Sequence, residues 1–232
     1  MKNIRGFLET FASIATISTC GVLVWAAVQS PTQGQRSSPP QLPKEPVSLE
    51  GVATRGNSSA SVVMIEYSDF QCPYCGQFSR EILPKLNDQY ISSGKVLLAF
   101  RHMPLAIHLQ ARKAAEAAEC AARQGRFWEM HDKLFESPSQ IDEASLVSKA
   151  SSIGLNADDF GECLAGLTKE KVDSDAESAR LINVSGTPAF LLGTLEKDRR
   201  VKVRQILVGA RPVSEFAKAL NGLLEGKVLA TR

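Results

Sequence analysis

The sequence predicts an α/β domain whose sheet is interrupted by a helical insertion. Three observations predict it. A strand–helix–strand unit fits residues 62–100, helices read on from 111 to 182, and apolar strands return at 189.

The chain has 232 residues, of which Lys2 and Arg5 form a basic start and residues 11–28 an 18-residue stretch without charge. That stretch is at the lower edge of what crosses a bilayer core of about 30 Å and longer than the roughly 7–15 residues of a signal-peptide core. Residues 1–28 are therefore expected to be an uncleaved signal anchor, the basic end cytoplasmic and the rest outside. Cleavage with Val24 and Ala26 at the −3 and −1 positions is the alternative, giving a secreted form. Ile17-Ser18-Thr19-Cys20 is a poor lipoprotein signal, because Thr19 is larger than the residue that usually precedes the lipidated cysteine. Residues 29–46, rich in Pro, Gln and Ser, cannot bury a core and read as an extended linker.

Folded sequence starts near Val47. The β-branched run at 62–67 reads as a buried strand. Cys72 then opens a helix with Pro73 at an early position, where its missing N–H costs nothing, and Pro84 should kink or end that helix. A second strand follows at 96–100. Helices are expected at 111–122, from Phe127, at 141–153, in a short segment capped by Asn156 and carrying Cys163, and at 169–182. Strands at 189–192 and 201–208 and an amphipathic helix at 214–224 complete the pattern. No internal repeat is evident.

Net charge is +2, and no Lys/Arg stripe interleaved with aromatics supports a nucleic-acid partner. Cysteine is more informative. Apart from Cys20 there are four, Cys72, Cys75, Cys120 and Cys163, an even set suited to an oxidising compartment. Only a thiolate attacks a disulfide, so a redox cysteine needs a depressed pKa, which unpaired N–H groups and the helix dipole supply at a helix N-terminus. Cys72 takes that position as nucleophile, and Cys75, one turn further in, is the resolving thiol. A structural zinc knuckle is the bland alternative. It needs four ligands, and Cys120, Cys163, His102, His108 and His131 lack the spacing to complete one. No metal or cofactor is called for.

Three strings occur in order: Glu66-Tyr67-Ser68-Asp69-Phe70-Gln71-Cys72-Pro73-Tyr74-Cys75, Phe127-Trp128-Glu129-Met130-His131, and Val184-Ser185-Gly186-Thr187-Pro188-Ala189-Phe190. Together they resemble the DsbA-like thioredoxin-fold disulfide oxidoreductases over residues 60–224. The resemblance implies a thioredoxin fold, residues 47–103 and 184–226, with a helical domain, 104–183, inserted between its two βαβ/ββα halves. It implies that Pro188 is a cis-proline facing the dithiol, where sequence alone favours trans, and that Thr187 pairs with an extended substrate segment. Glu66 would relay the proton of the buried cysteine, with a solvated strand-end glutamate as the alternative. Cys120–Cys163 would be a structural disulfide, with two separate buried thiols as the alternative. Phe70 and Tyr74 are expected on an exposed apolar rim that receives substrate, while Phe127, Trp128, Phe135 and His131 are expected in the core.

The implied function is introduction of disulfides into reduced or unfolded exported proteins on the periplasmic or another extracytoplasmic face. A membrane quinone-linked thiol oxidase would restore the Cys72–Cys75 disulfide. The alternative is an isomerase or reductase kept reduced by a membrane reductant, a direction that Thr187 before Pro188 resembles. The segment before Ala60 is too short for a dimerisation domain, so a monomer is expected.

Overall fold

The computed structural model describes residues 38–226. The anchor expected at 1–28, Cys20 within it, and linker residues 29–37 lie outside the described residues. Among the described residues no helix is long and apolar enough to cross a membrane. Residues 38–46 form no helix or strand, and the Gln41 amide donates to the Ile182 carbonyl at 2.8 Å.

Among the described residues six strands form one sheet. They are β1 (Val47–Ser48), β2 (Ala53–Arg55), β3 (Val62–Ser68), β4 (Val96–His102), β5 (Ala189–Leu195) and β6 (Arg200–Val208), in the order β1-β6-β5-β3-β4-β2. The β3–β4 pair is parallel and every other neighbouring pair antiparallel. A parallel pair needs a crossover, and residues 73–91 supply it as one long helix, α1. Both central strands are buried along all seven residues, as expected of strands covered on both faces. The edge strands β1 and β2 were not anticipated: two and three residues carry no usable period.

Pro84 does not end α1. Around it the helix alternates between α turns, Pro73–Gln77 and Leu83–Leu86, and wider π turns, Phe78–Ile82 and Asn87–Ile91. The wider turns accommodate a residue that lacks an N–H and would crowd the preceding turn.

Between β4 and β5 stand α2 (Ala111–Arg123), α3 (Phe127–Glu136), α4 (Glu143–Ser152), α5 (Ala157–Leu164) and α6 (Lys169–Arg180), and α7 (Val213–Leu224) follows β6. Asn156 caps α5 through its side chain, which accepts from the Asp159 amide at 3.0 Å. At Gly193, where β5 and β6 shift register, an added Cβ would come within 2.3 Å of the Lys202 carbonyl oxygen, so only glycine fits.

Alternation along the strands divides the core. Val63, Ile65 and Tyr67 of β3 pack with Leu97, Leu191 and Ala179 on one face, and Val62 and Met64 pack with Phe78, Leu86, Phe190, Phe216 and Leu220 on the other. A third cluster joins Ala114, Ala118, Met130, Leu134, Leu146 and Phe160 of the insertion to Phe70, Phe100, Cys72 and Cys75. The insertion therefore shares its core with the dithiol.

Candidate active site

Cys72 is the N-cap of α1, with extended backbone, and Pro73 takes the first helical position. The turn is closed by the Cys72 amide donating to the Asp69 carbonyl (3.1 Å) and the Gly76 amide to the Cys72 carbonyl (3.0 Å). This aims the Cys72 sulfur at the segment just before β5, where it lies 3.4 Å from the Thr187 carbonyl oxygen. The Thr187–Pro188 peptide is cis, and Thr187 itself is buried. Cys75 is fully buried one turn along, its sulfur accepting from the Asp69 amide at 3.5 Å. Both cysteines are free thiols.

The two sulfurs have opposite tendencies. Cys72 is lowered from 9.0 to about 5, first by the hydrogen bond from the Cys75 thiol, then by the Thr187 side chain and the backbone amides of Cys75 and Tyr74, with burial opposing. The helix terminus singled out in the sequence thus contributes, but the neighbouring thiol contributes most. Cys75 is pushed up, chiefly by burial and then by holding its proton in the bond to Cys72. The arrangement is a thiolate beside a donor thiol. Ionised Cys72 is the better nucleophile and leaving group, and Cys75 keeps the proton.

Glu66 is fully buried on β3, opposite Phe100 and Phe190, and neither carboxyl oxygen has a hydrogen-bond partner. Burial raises it from 4.5 to about 8, with Ser68 and Arg55 opposing. A carboxyl that is mostly protonated at neutral pH can give or take a proton there.

Phe70 is corrected. It is 1% exposed rather than on a rim, stacked 5.5 Å from Phe100 and 4.8 Å from Phe135. The shared core of sheet and insertion takes it inward, a contact across 65 residues that no local pattern reveals. Tyr74 is 64% exposed, and Ile107 and Leu109, in the loop before α2, are exposed as well. Their loop is tied to the turn before Cys72 through the Leu105 amide to Asp69 and the Gln110 amide to Gln71, each 2.7 Å.

Away from this site, Cys120 of α2 and Cys163 of α5 form a disulfide with Cα atoms 5.7 Å apart. Phe127, Phe135 and His131 are buried and Trp128 is partly buried against the same core. His102, Glu119 and Asp175 bring ligand-type atoms within 4.8 Å of one another. Asp175 already meets Arg101 at 2.7 Å and Lys171, so the cluster carries its own cations. Sequence reading missed Asp69, which touches both cysteines. It stands within the quoted motif, but its side-chain partners lie up to 39 residues away.

Residues 48–206 match the model of a family described as thioredoxin. Among curated proteins, the chain is 40% identical over 149 residues to the Na(+)/H(+) antiporter NhaA 3 of Salinispora tropica, covering 63% of this chain and 22% of the antiporter. The chain thus spans about a fifth of the length of such antiporters. It is 31% identical over 144 residues to a Bacillus cereus protein named "Probable disulfide bond formation protein D", covering 58% of this chain and 66% of that one. Among solved structures it resembles alpha-DsbA1 of Wolbachia pipientis, with TM-score 0.68, 25% identity, and 78% of this chain and 94% of that one covered. Oxidised BdbD of Bacillus subtilis gives TM-score 0.65 and 25% identity, with 80% and 100% covered.

Proposed function

Because this chain belongs to the thioredoxin family, in the DsbA-like form that carries a helical insertion, we propose that it is a thiol–disulfide oxidoreductase that donates its Cys72–Cys75 disulfide to reduced exported proteins. The placement of Cys72 at the N-cap of α1, beside the buried Cys75 thiol, carries the direction of reaction. The Cys72 thiolate is stabilised in the reduced protein, which makes reduction of the disulfide favourable and the oxidised protein an oxidant.

In the first step a substrate thiolate attacks Cys72, the Cys72–Cys75 bond breaks, and Cys75 leaves with the bonding pair and takes a proton from Glu66. A second substrate thiolate then attacks the substrate sulfur of the mixed disulfide and Cys72 leaves as a thiolate. The Thr187 backbone beside Cys72 offers an edge for an extended substrate segment, and Tyr74 a neighbouring apolar surface. A membrane quinone-linked thiol oxidase would remove the two electrons and restore the disulfide. The extracytoplasmic face, with residues 1–28 as anchor, suits both the apolar leader and a chain that keeps the Cys120–Cys163 disulfide.

The test is the reduction potential of the full chain against glutathione. A value more oxidising than about −200 mV is expected, and one near the −270 mV of thioredoxin would favour the reductase reading, which Thr187 before Pro188 supports. Cys75→Ser should trap a mixed disulfide at Cys72, and Cys72→Ser should abolish exchange. Undiminished exchange in both variants would sink the proposal.

A further inference from the structure

The Asp69 side chain makes three hydrogen bonds while 2% of the residue is exposed. One carboxylate oxygen accepts from the Gln71 amide at 2.7 Å, and the other from the Leu105 amide at 2.7 Å and from His108 Nδ1 at 2.8 Å. Through its backbone the same residue reaches both cysteines. Its carbonyl accepts from the Cys72 amide at 3.1 Å, and its amide donates to Cys75 Sγ at 3.5 Å.

A sulfur of high pKa is a poor leaving group. Cys75 is that sulfur, and it must depart when a substrate thiolate attacks Cys72. A donor aimed at it from outside the dithiol stabilises the charge that develops as the S–S bond breaks, as amides do for a developing oxyanion. We propose that Asp69 is a positioning residue for the departure of Cys75: its carboxylate, anchored to Gln71, Leu105 and His108, holds its own amide against the Cys75 sulfur. The substrate thiolate supplies the electron pair that forms the new bond to Cys72, the old bonding pair passes to Cys75, and the amide donor is not consumed. This rests on the Cys72–Cys75 dithiol being the reacting centre.

The side chain acts only through its own backbone, so the step affected is specific. Loss of Asp69 slows the step in which Cys75 leaves and spares the step in which Cys72 leaves. In Asp69→Asn one oxygen becomes an NH2 group, so one or two of the three hydrogen bonds are lost and the effect is intermediate.

The experiment uses the full chain and reduced glutathione as the attacking thiol. The first rate is attack on the oxidised wild type, Asp69→Asn and Asp69→Ala. The second is glutathione cleavage of a preformed Cys72–glutathione disulfide, with each Asp69 variant made in the Cys75→Ser background. Asp69→Ala should slow the first rate tenfold or more and change the second less than threefold, and Asp69→Asn should slow the first by about threefold. Equal slowing of both rates, or none in the first, overturns the inference. If Asp69→Ala does not fold, Asp69→Asn decides alone, and a wild-type first rate in it overturns the inference. Absence of exchange in wild type would instead sink the underlying redox reading.

Discussion

At neutral pH the Cys72 sulfur is ionised because one donor thiol and several donors at a helix mouth outweigh the cost of burial. Its pKa is lowered, so the stabilisation of the reduced fold is complete above about 9 and is lost as pH falls through about 5. At pH 7, midway between these values, about half of it is in place. Cys75 offsets none of this there, since its thiol is protonated both folded and unfolded. The rate at which the reduced protein attacks a small disulfide should be flat from pH 7 to 9 and fall about tenfold by pH 4, in step with the ultraviolet absorbance of the thiolate. A rate that instead climbs through pH 8 to 9 would mean an ordinary thiol. Glu66 has the opposite sign. Its pKa is raised, so its contribution is fully present below about 4.5 and is lost as pH rises through about 8. Replacing it with Gln should therefore stabilise the protein at pH 7, by on the order of 3 kcal/mol, with little effect at pH 4. Melting curves of Glu66→Gln at the two pH values check this, and exchange through Cys75 should slow in the same variant.

Among the elements, α1 was legible from Cys72 and Pro73, and α5 from Asn156, because capping is decided by residues within one turn. The passage of α1 through Pro84 was only half legible, since π turns have no residue signature of their own. The insertion is stapled by Cys120–Cys163, which closes a separation of 43 residues between α2 and α5. Limiting the unfolded chain in this way contributes about 4 kcal/mol in the chain-entropy model. The paired variant Cys120→Ala/Cys163→Ala should lose about 2–4 kcal/mol, roughly 5–15 °C in melting temperature for a domain of this size. Exchange at Cys72 should stay within threefold of wild type. An unchanged melting temperature would mean the unfolded insertion is already restricted without the bond.

For the molecule as a whole, the sheet and the insertion are joined by a buried ion-pair network as well as by the shared aromatic core. Asp175 of α6 accepts from Arg101 (2.7 Å), from the His102 amide (3.2 Å) and from Lys171, while His102 meets Glu119 of α2 at 2.9 Å. Removing one member of a buried network strands its partners, at a cost of about 3–5 kcal/mol. Asp175→Ala should lose that much stability in denaturant titration, and α6 should lose amide-exchange protection before β3 does. Uniform loss across both would show that insertion and sheet unfold as one unit.

What local chemistry dictates was readable in the chain itself: the buried strands, the capped helices, the interruption of the sheet, and a dithiol at a helix start. Each depends on neighbours within a few positions. Only the tertiary structure decided where distant segments meet. It turned Phe70 inward onto Phe135, buried Glu66 between Phe100 and Phe190, and gave Asp69 partners in the loop before α2. Burial and long-range hydrogen bonding belong to the packed chain, because a residue's surroundings are set by segments tens of positions away.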